Sequence, residues 1–192
     1  MVDRRSVLKV GAASVAGALV SMSSPILGPA RADTPSLLHG AVFAPRFQQA
    51  VAFAGELQRR HVITFRAGND IAKLWYGDLH GGLNQHCGPI VGLTDRVTLF
   101  CLEELARSAR MRVLYRVDHV IDEHGSVEHN AFGPASIVEA TRNLGRTSRF
   151  GCEMAVLATQ FELRERLDTA AIKRTGPFSP GNKVALVSWM IA

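Results

Sequence analysis

Three histidines recur at five-residue intervals, His119, His124 and His129, and imidazole is the side chain best suited to moving protons near neutral pH or holding a transition metal. His119 and His129 flank the turn Glu123-His124-Gly125, so a β-hairpin makes them cross-strand neighbours with β-carbons about 4.5–5.5 Å apart. Two imidazoles at that separation can share a Zn, Cu, Ni or Fe ion, which makes His119 and His129 the candidate metal ligands. Asp118, Asp122, Glu123 and Glu128 surround the turn and offer further ligands or groups to orient the rings. His124, at the tip, points away from the pair. The competing expectation is a hydrogen-bonded histidine pair with no ion, because the hairpin supplies no evident third ligand.

A second concentration of chemistry lies in Gly77–Gly92, where five glycines accompany Asp78, His80, Asn84, Gln85, His86 and Cys87. Long loops of such composition often carry function, with backbone N–H groups free to approach a ligand. An imidazolium beside a thiol lowers its pKa, so Cys87 is a candidate nucleophile with His86 or His80 as base. No G-x-S-x-G, no phosphate-binding G-x-x-x-x-G-K and no G-x-G-x-x-G follows the first predicted strand, which excludes serine esterases, P-loop enzymes and dinucleotide binders. The other expectation is a surface loop whose glycines serve turns.

Arg66, Asn69 and Asp70 follow a predicted strand, where open α/β sheets bind ligands, and are candidates for a small anion or polar substrate; the alternative is that Asp70 caps a helix and Arg66 is solvated. Of three cysteines, Cys101 falls on a buried helix stripe, leaving Cys87 and Cys152 to react or to bridge. Arg112 and Arg116 are expected on a solvated sheet edge.

The elements that position these residues follow from periodicity. Pro45–Arg60 repeats apolar residues at three to four and predicts a helix; His61–Phe65 is a short β-branched run and predicts a strand. Asn69 or Asp70 caps a helix to about Tyr76, and Thr94 caps another to about Ser108, with Val97, Cys101, Leu105 and Ala109 on one face and Leu99, Leu102 and Ala106 widening that stripe. Met111–Ile121 alternates, and Ser126–Phe132 returns after a three-residue loop whose Gly125 takes a left-handed conformation. The register then sets Ile121 opposite Val127, His119 opposite His129 and Val117 opposite Ala131. Ser136–Leu144 and Cys152–Ala171 predict helices, the second with a Glu162–Arg166 pair, and Lys183–Ile191 a buried final strand.

The resulting order predicts a single α+β domain of split β-α-β (ferredoxin-like) architecture with an extra N-terminal helix; a three-layer α/β arrangement fits the same order. The expected division is residues 1–32, a linker over 33–43 and one domain over 44–192.

The chain's net charge of +5 is concentrated at the start. Without residues 1–32, 18 basic face 16 acidic residues, too small an excess to concentrate a polyanion, so nucleic acid is not an expected partner. Met1–Lys9 is a basic head, Val10–Met22 a mildly apolar stretch, and Ala30-Arg31-Ala32 a small-x-small site. Asp3-Arg4-Arg5-Ser6-Val7-Leu8-Lys9 resembles the motif of twin-arginine (Tat) signal peptides. That resemblance implies the twin-arginine export machinery and signal peptidase as partners, cleavage after Ala32 and a periplasmic location. Because this route carries folded proteins, it also implies a cofactor or a co-exported protein partner. The expectation for function is an exported domain that binds a small ligand or metal through the glycine-rich loop. The alternatives are a Cys87-dependent enzyme or a non-catalytic accessory subunit.

Overall fold

The computed structural model describes residues 38–83, 88–122, 124–145, 149–161, 171–173 and 184–192. The expected signal peptide and the Glu162–Arg166 pair lie outside them. No helix among the described residues is long and apolar enough to cross a membrane.

A seven-stranded sheet of order β2-β1-β3-β7-β4-β5-β6 organises the domain. Its strands are β1 (Gly40–Phe43), β2 (Thr64–Arg66), β3 (Ile90–Thr94), β4 (Val113–Ile121), β5 (Val127–Gly133), β6 (Ala171–Lys173) and β7 (Val184–Ile191). β1 pairs in parallel with both β2 and β3, and the remaining pairings, β3 with β7, β7 with β4, β4 with β5 and β5 with β6, are antiparallel. The helices are α1 (Gln48–Arg59), α2 (Ile71–Lys73), a π-helical turn (Leu74–Leu79), α3 (His80–Leu83), α4 (Arg96–Ser108), α5 (Ala135–Arg142) and α6 (Phe150–Gln160).

Both sheet faces are covered. Ala50, Phe53 and Leu57 of α1, Ile137 and Val138 of α5, and Phe150 and Met154 of α6 pack with Val91, Leu93, Val117 and Leu186 on one face. Leu74, Trp75 and Leu79 join Leu99, Leu102 and Ala106 of α4 against Val42, Ile90, Val187 and Trp189 on the other. The expected mixed single domain is therefore present, in its three-layer form, with three strands more than periodicity indicated.

Those added strands correct the expected boundaries. Gly40–Phe43 is not linker but β1, the central strand of the parallel half. A four-residue strand buried on both faces has no alternation to reveal it. The expected 77–92 loop is largely regular: of its described residues, the π turn, α3 and β3 take up all but Gly88 and Pro89. Burial of Leu74, Trp75 and Leu79 outweighs the poor helix propensity of the interspersed glycines. Gly92 sits in β3 because the Trp189 ring lies on it; a β-carbon there would fall 2.2 Å from Trp189 Cζ2. Likewise Gly151 lets α6 cross α1, where a β-carbon would meet the Gln49 carbonyl oxygen at 2.0 Å.

The strand expected at His61–Phe65 begins later, because His61 and Val62 close α1. His61, with φ 60°, and Arg110, with φ 61°, each occupy the left-handed position after a helix. Val62 N donates to Leu57 O and Met111 N to Ala106 O, the six-to-one bond of a Schellman ending. Asp95 rather than Thr94 caps α4, accepting from Thr98 N. The buried face of α4 is Thr98, Leu99, Leu102 and Ala106, so Val97 is exposed and Cys101 only partly buried. β4 is interior rather than an edge, lying between β7 and β5.

The hairpin matches its expected register at every pair: Ile121↔Val127, His119↔His129 and Val117↔Ala131. Gly125 has φ 79°, the left-handed conformation the three-residue turn requires.

Candidate functional site

β4, β5 and β7 bring three polar side chains, His119, His129 and Ser188, together inside the α1–α6 face. Ser188 on β7 pairs in register with Val117 on β4, two residues from His119, which pairs with Leu186, so all four point to the same side of the sheet. Its Oγ lies 2.6 Å from His119 Nε2; His119 Nδ1 lies 2.7 Å from His129 Nδ1; His129 Nε2 lies 3.2 Å from the Gly145 carbonyl oxygen. Phe150, at the start of α6, stacks on His119 with ring centroids 4.3 Å apart. Glu153 of α6 accepts from Gly145 N at 2.7 Å, tying the chain's outer end to the helix.

The partners assign the protons in the neutral chain. A carbonyl oxygen only accepts, so His129 Nε2 donates to Gly145 and His129 Nδ1 accepts from His119 Nδ1–H. His119 Nε2 then accepts from the Ser188 hydroxyl. Burial, and secondarily the charge of a protonated His129, hold His119 well below the usual imidazole range. Serine, imidazole and an orienting group in sequence is the arrangement of an activated nucleophile. Ser188, however, is 1% exposed in the central strand beneath α6, so no substrate reaches its hydroxyl; the chain fastens the hairpin to β7 and α6.

As metal ligands the pair fits poorly. Two nitrogens on a tetrahedral ion stand about 3.3 Å apart at ordinary Zn–N lengths, whereas 2.7 Å is a hydrogen bond. Among the described residues no group of three His, Cys, Asp or Glu side chains is placed to hold an ion.

The opposite face carries charge at the C-terminal ends of the parallel strands. Arg46, after β1, pairs with Asp95, after β3, at 3.0 Å. Arg96 donates to Asp118 Oδ2 at 2.7 Å, and Arg116 Nε lies 3.3 Å from Asp118 Oδ1, an ion pair too poorly aligned to count as a hydrogen bond, as Oδ1 has no hydrogen-bond partner. Thr94 Oγ1 accepts from Trp189 Nε1 at 2.9 Å, locking the last residue of β3 to β7. Arg66 ends β2 opposite Phe43 and is exposed.

Sequence candidates therefore separate. His119 and His129 meet. Arg66 and Asn69 sit exposed at the C-terminal edge of the parallel strands, while Asp70 caps α2 through Lys73 N at 2.8 Å. Pro89 leads into the other end of β3, its carbonyl oxygen accepting from His39 N at 2.8 Å. His80 opens α3 with its ring 6.1 Å from those of Trp75 and Tyr76; His86 and Cys87 lie outside the described residues. Cys152 is a free thiol, its Sγ 3.7 Å from the Ala52 carbonyl oxygen. Ser188, Arg46, Asp95 and Arg96 were missed. Ser188 had one signal, the sole polar residue in Val184–Ile191.

Fold and site together define a three-layer mixed α/β domain, doubly wound in its parallel half. The chain matches no protein-family model, no curated protein and no solved structure.

Proposed function

We propose that this chain is an exported, periplasmic small-ligand-binding domain that takes a small oxyanion at the C-terminal ends of β1, β2 and β3. One observation supports this reading. The strand order 2-1-3, with α1 over one face and the helical segment 71–83 over the other, makes the β1/β3 boundary a topological switch point. Open α/β sheets bind ligands in the crevice at such a point. Arg46, Arg66 and Arg96 follow or end three adjacent parallel strands at that edge, and Asp95 couples two of those ends through Arg46. Guanidinium groups suit bidentate contact with carboxylate or phosphate.

Thermal denaturation of the mature protein against inorganic phosphate and citrate tests the reading. A ligand at 100 times its Kd adds about 2.7 kcal/mol to stability, and the shift is expected to vanish in Arg46→Gln/Arg66→Gln. A shift that survives both substitutions, or none with either anion, would refute it.

A second reading, a non-catalytic subunit co-exported with a partner, is favoured by Val97 and Phe100, three residues apart on α4 and 72% and 63% exposed. Val120 of β4, by contrast, is buried. Recovery of the chain from the periplasm in a stoichiometric complex, lost in Val97→Asp/Phe100→Asp, would support this reading over the first.

A further inference from the structure

Arg116, linked through Asp118 to Arg96 of the strand-end edge, stands at the wall of a second concavity. Glu103 of α4, Val113, Leu114, Tyr115 and Arg116 of β4 with its flank, and Phe132 and Gly133 of β5 line a cleft of about 350 Å³, within the size range of small-ligand sites. The Arg116 guanidinium lies over the Phe132 ring, 4.7 Å from its centroid, and its Nε lies 3.3 Å from Asp118 Oδ1 as an ion pair without a hydrogen bond. Stacking on the ring sets the plane of the fork. Among the described residues neither Nη group has a partner, and the side chain is 41% exposed.

Charge accounting gives the sign of the ligand. Around Asp118 two guanidiniums, Arg96 and Arg116, oppose one carboxylate, so the positive surplus lies on the Arg116 wall. Across the cleft, Arg107 is shared by Glu104 at 3.2 Å and Glu103 at 3.8 Å, which balances the cluster as a whole. The other walls are aliphatic and aromatic. We propose that this cleft binds a small monocarboxylate with an aryl or branched-alkyl body, the carboxylate bidentate on the Arg116 Nη groups and the body against Phe132, Val113 and Leu114. The preformed, stacked fork is the arrangement in which arginine loses least freedom on binding a carboxylate.

Phenylacetate is the probe and its neutral isostere phenylacetamide the control, titrated into the full chain by calorimetry and followed at the Gly133 backbone amide by NMR. The expected result is saturable phenylacetate binding that moves the Gly133 signal, with phenylacetamide at least tenfold weaker. Arg116→Gln is expected to weaken phenylacetate at least tenfold, Arg116→Lys by an intermediate factor, and Arg59→Gln, on the far surface of α1, not at all. Because Arg116 is partly exposed, an unchanged melting profile verifies the fold of each variant; Phe132→Leu, which removes the ring and keeps the charge, is expected to weaken binding severalfold. Equal affinity for acid and amide, an unmoved Gly133 signal, or full binding by Arg116→Gln would overturn the assignment.

Discussion

His119 and His129 face each other across β4 and β5 with their Nδ1 atoms 2.7 Å apart, and that single contact sets the tautomer of both rings. With Gly145 able only to accept and Ser188 able to donate, neutral His119 must carry its proton on Nδ1. Nitrogen-15 chemical shifts of the imidazoles are expected to report Nδ1–H for His119 and Nε2–H for His129 above neutral pH. The reverse assignment would break the chain of donors described above.

Stability is expected to fall on acidification. His119 is fully buried and titrates well below its ordinary value of 6.5, so between that value and the depressed one the unfolded chain binds more protons than the folded. The contribution is complete above pH 6.5 and lost as pH falls, with a slope approaching about 1.4 kcal/mol per pH unit. Urea denaturation at pH 7.5, 6 and 5 measures it. In His119→Gln the loss should be smaller; a slope identical to wild type would assign the acid sensitivity to other groups.

Ser188→Ala strands the His119 Nε2 acceptor in the core. Leaving a buried polar group without its partner costs about 1–3 kcal/mol, and roughly 2–4 °C in Tm per kcal/mol is expected for a domain of this size. Ser188→Cys, which retains a weak donor, should recover part of the loss. Equal stability of the Ala variant and the parent would mean that the hydroxyl contributes nothing.

Gly92→Ala forces a methyl group into the Trp189 indole, where a β-carbon would sit 2.2 Å from Cζ2. Overpacking of this kind typically costs about 1–3 kcal/mol. The indole must also tilt away from Thr94, breaking its 2.9 Å bond, so near-ultraviolet circular dichroism should change along with stability. A neutral substitution would show that the ring has room to move.

His61→Gly and Arg110→Gly are expected to stabilise, each by about 1 kcal/mol, because a side-chain-bearing residue in the left-handed region costs of that order. The closing bonds Val62 N to Leu57 O and Met111 N to Ala106 O are backbone bonds and survive both changes. Chemical denaturation of the single and double variants gives the increments; destabilisation by either would show that its side chain contributes more than its backbone strain costs.

Legibility followed the length of the periodic signal. Nine residues of alternation in β4 and seven in β5, joined by a turn with glycine at its left-handed position, made the register and the histidine contact readable. α4 was legible as a helix, yet its buried face was drawn too wide. Leu99, Leu102 and Ala106 are in the core as expected, whereas Val97, equally apolar, is exposed, because only the side presented to β7 and to the 71–83 segment is covered. Cys87 and His86 were singled out by composition alone, which says nothing about where a segment lies in the sheet.

Amino-acid order by itself determined the hairpin, α1, α4 and the buried final strand, since each is a local pattern matched to one backbone period, whereas the helix expected over Cys152–Ala171 ends at Gln160, with Ala171 in β6. Tertiary structure decided what those elements meet. β1 and β3 are too short and too evenly apolar to announce themselves, and they become strands by pairing with partners far along the chain. Ser188 reaches His119 across 69 positions, and Arg46 reaches Asp95 across 49. No local propensity encodes such a contact; it exists because burial of two sheet faces at once leaves the chain one arrangement in which those polar groups find partners.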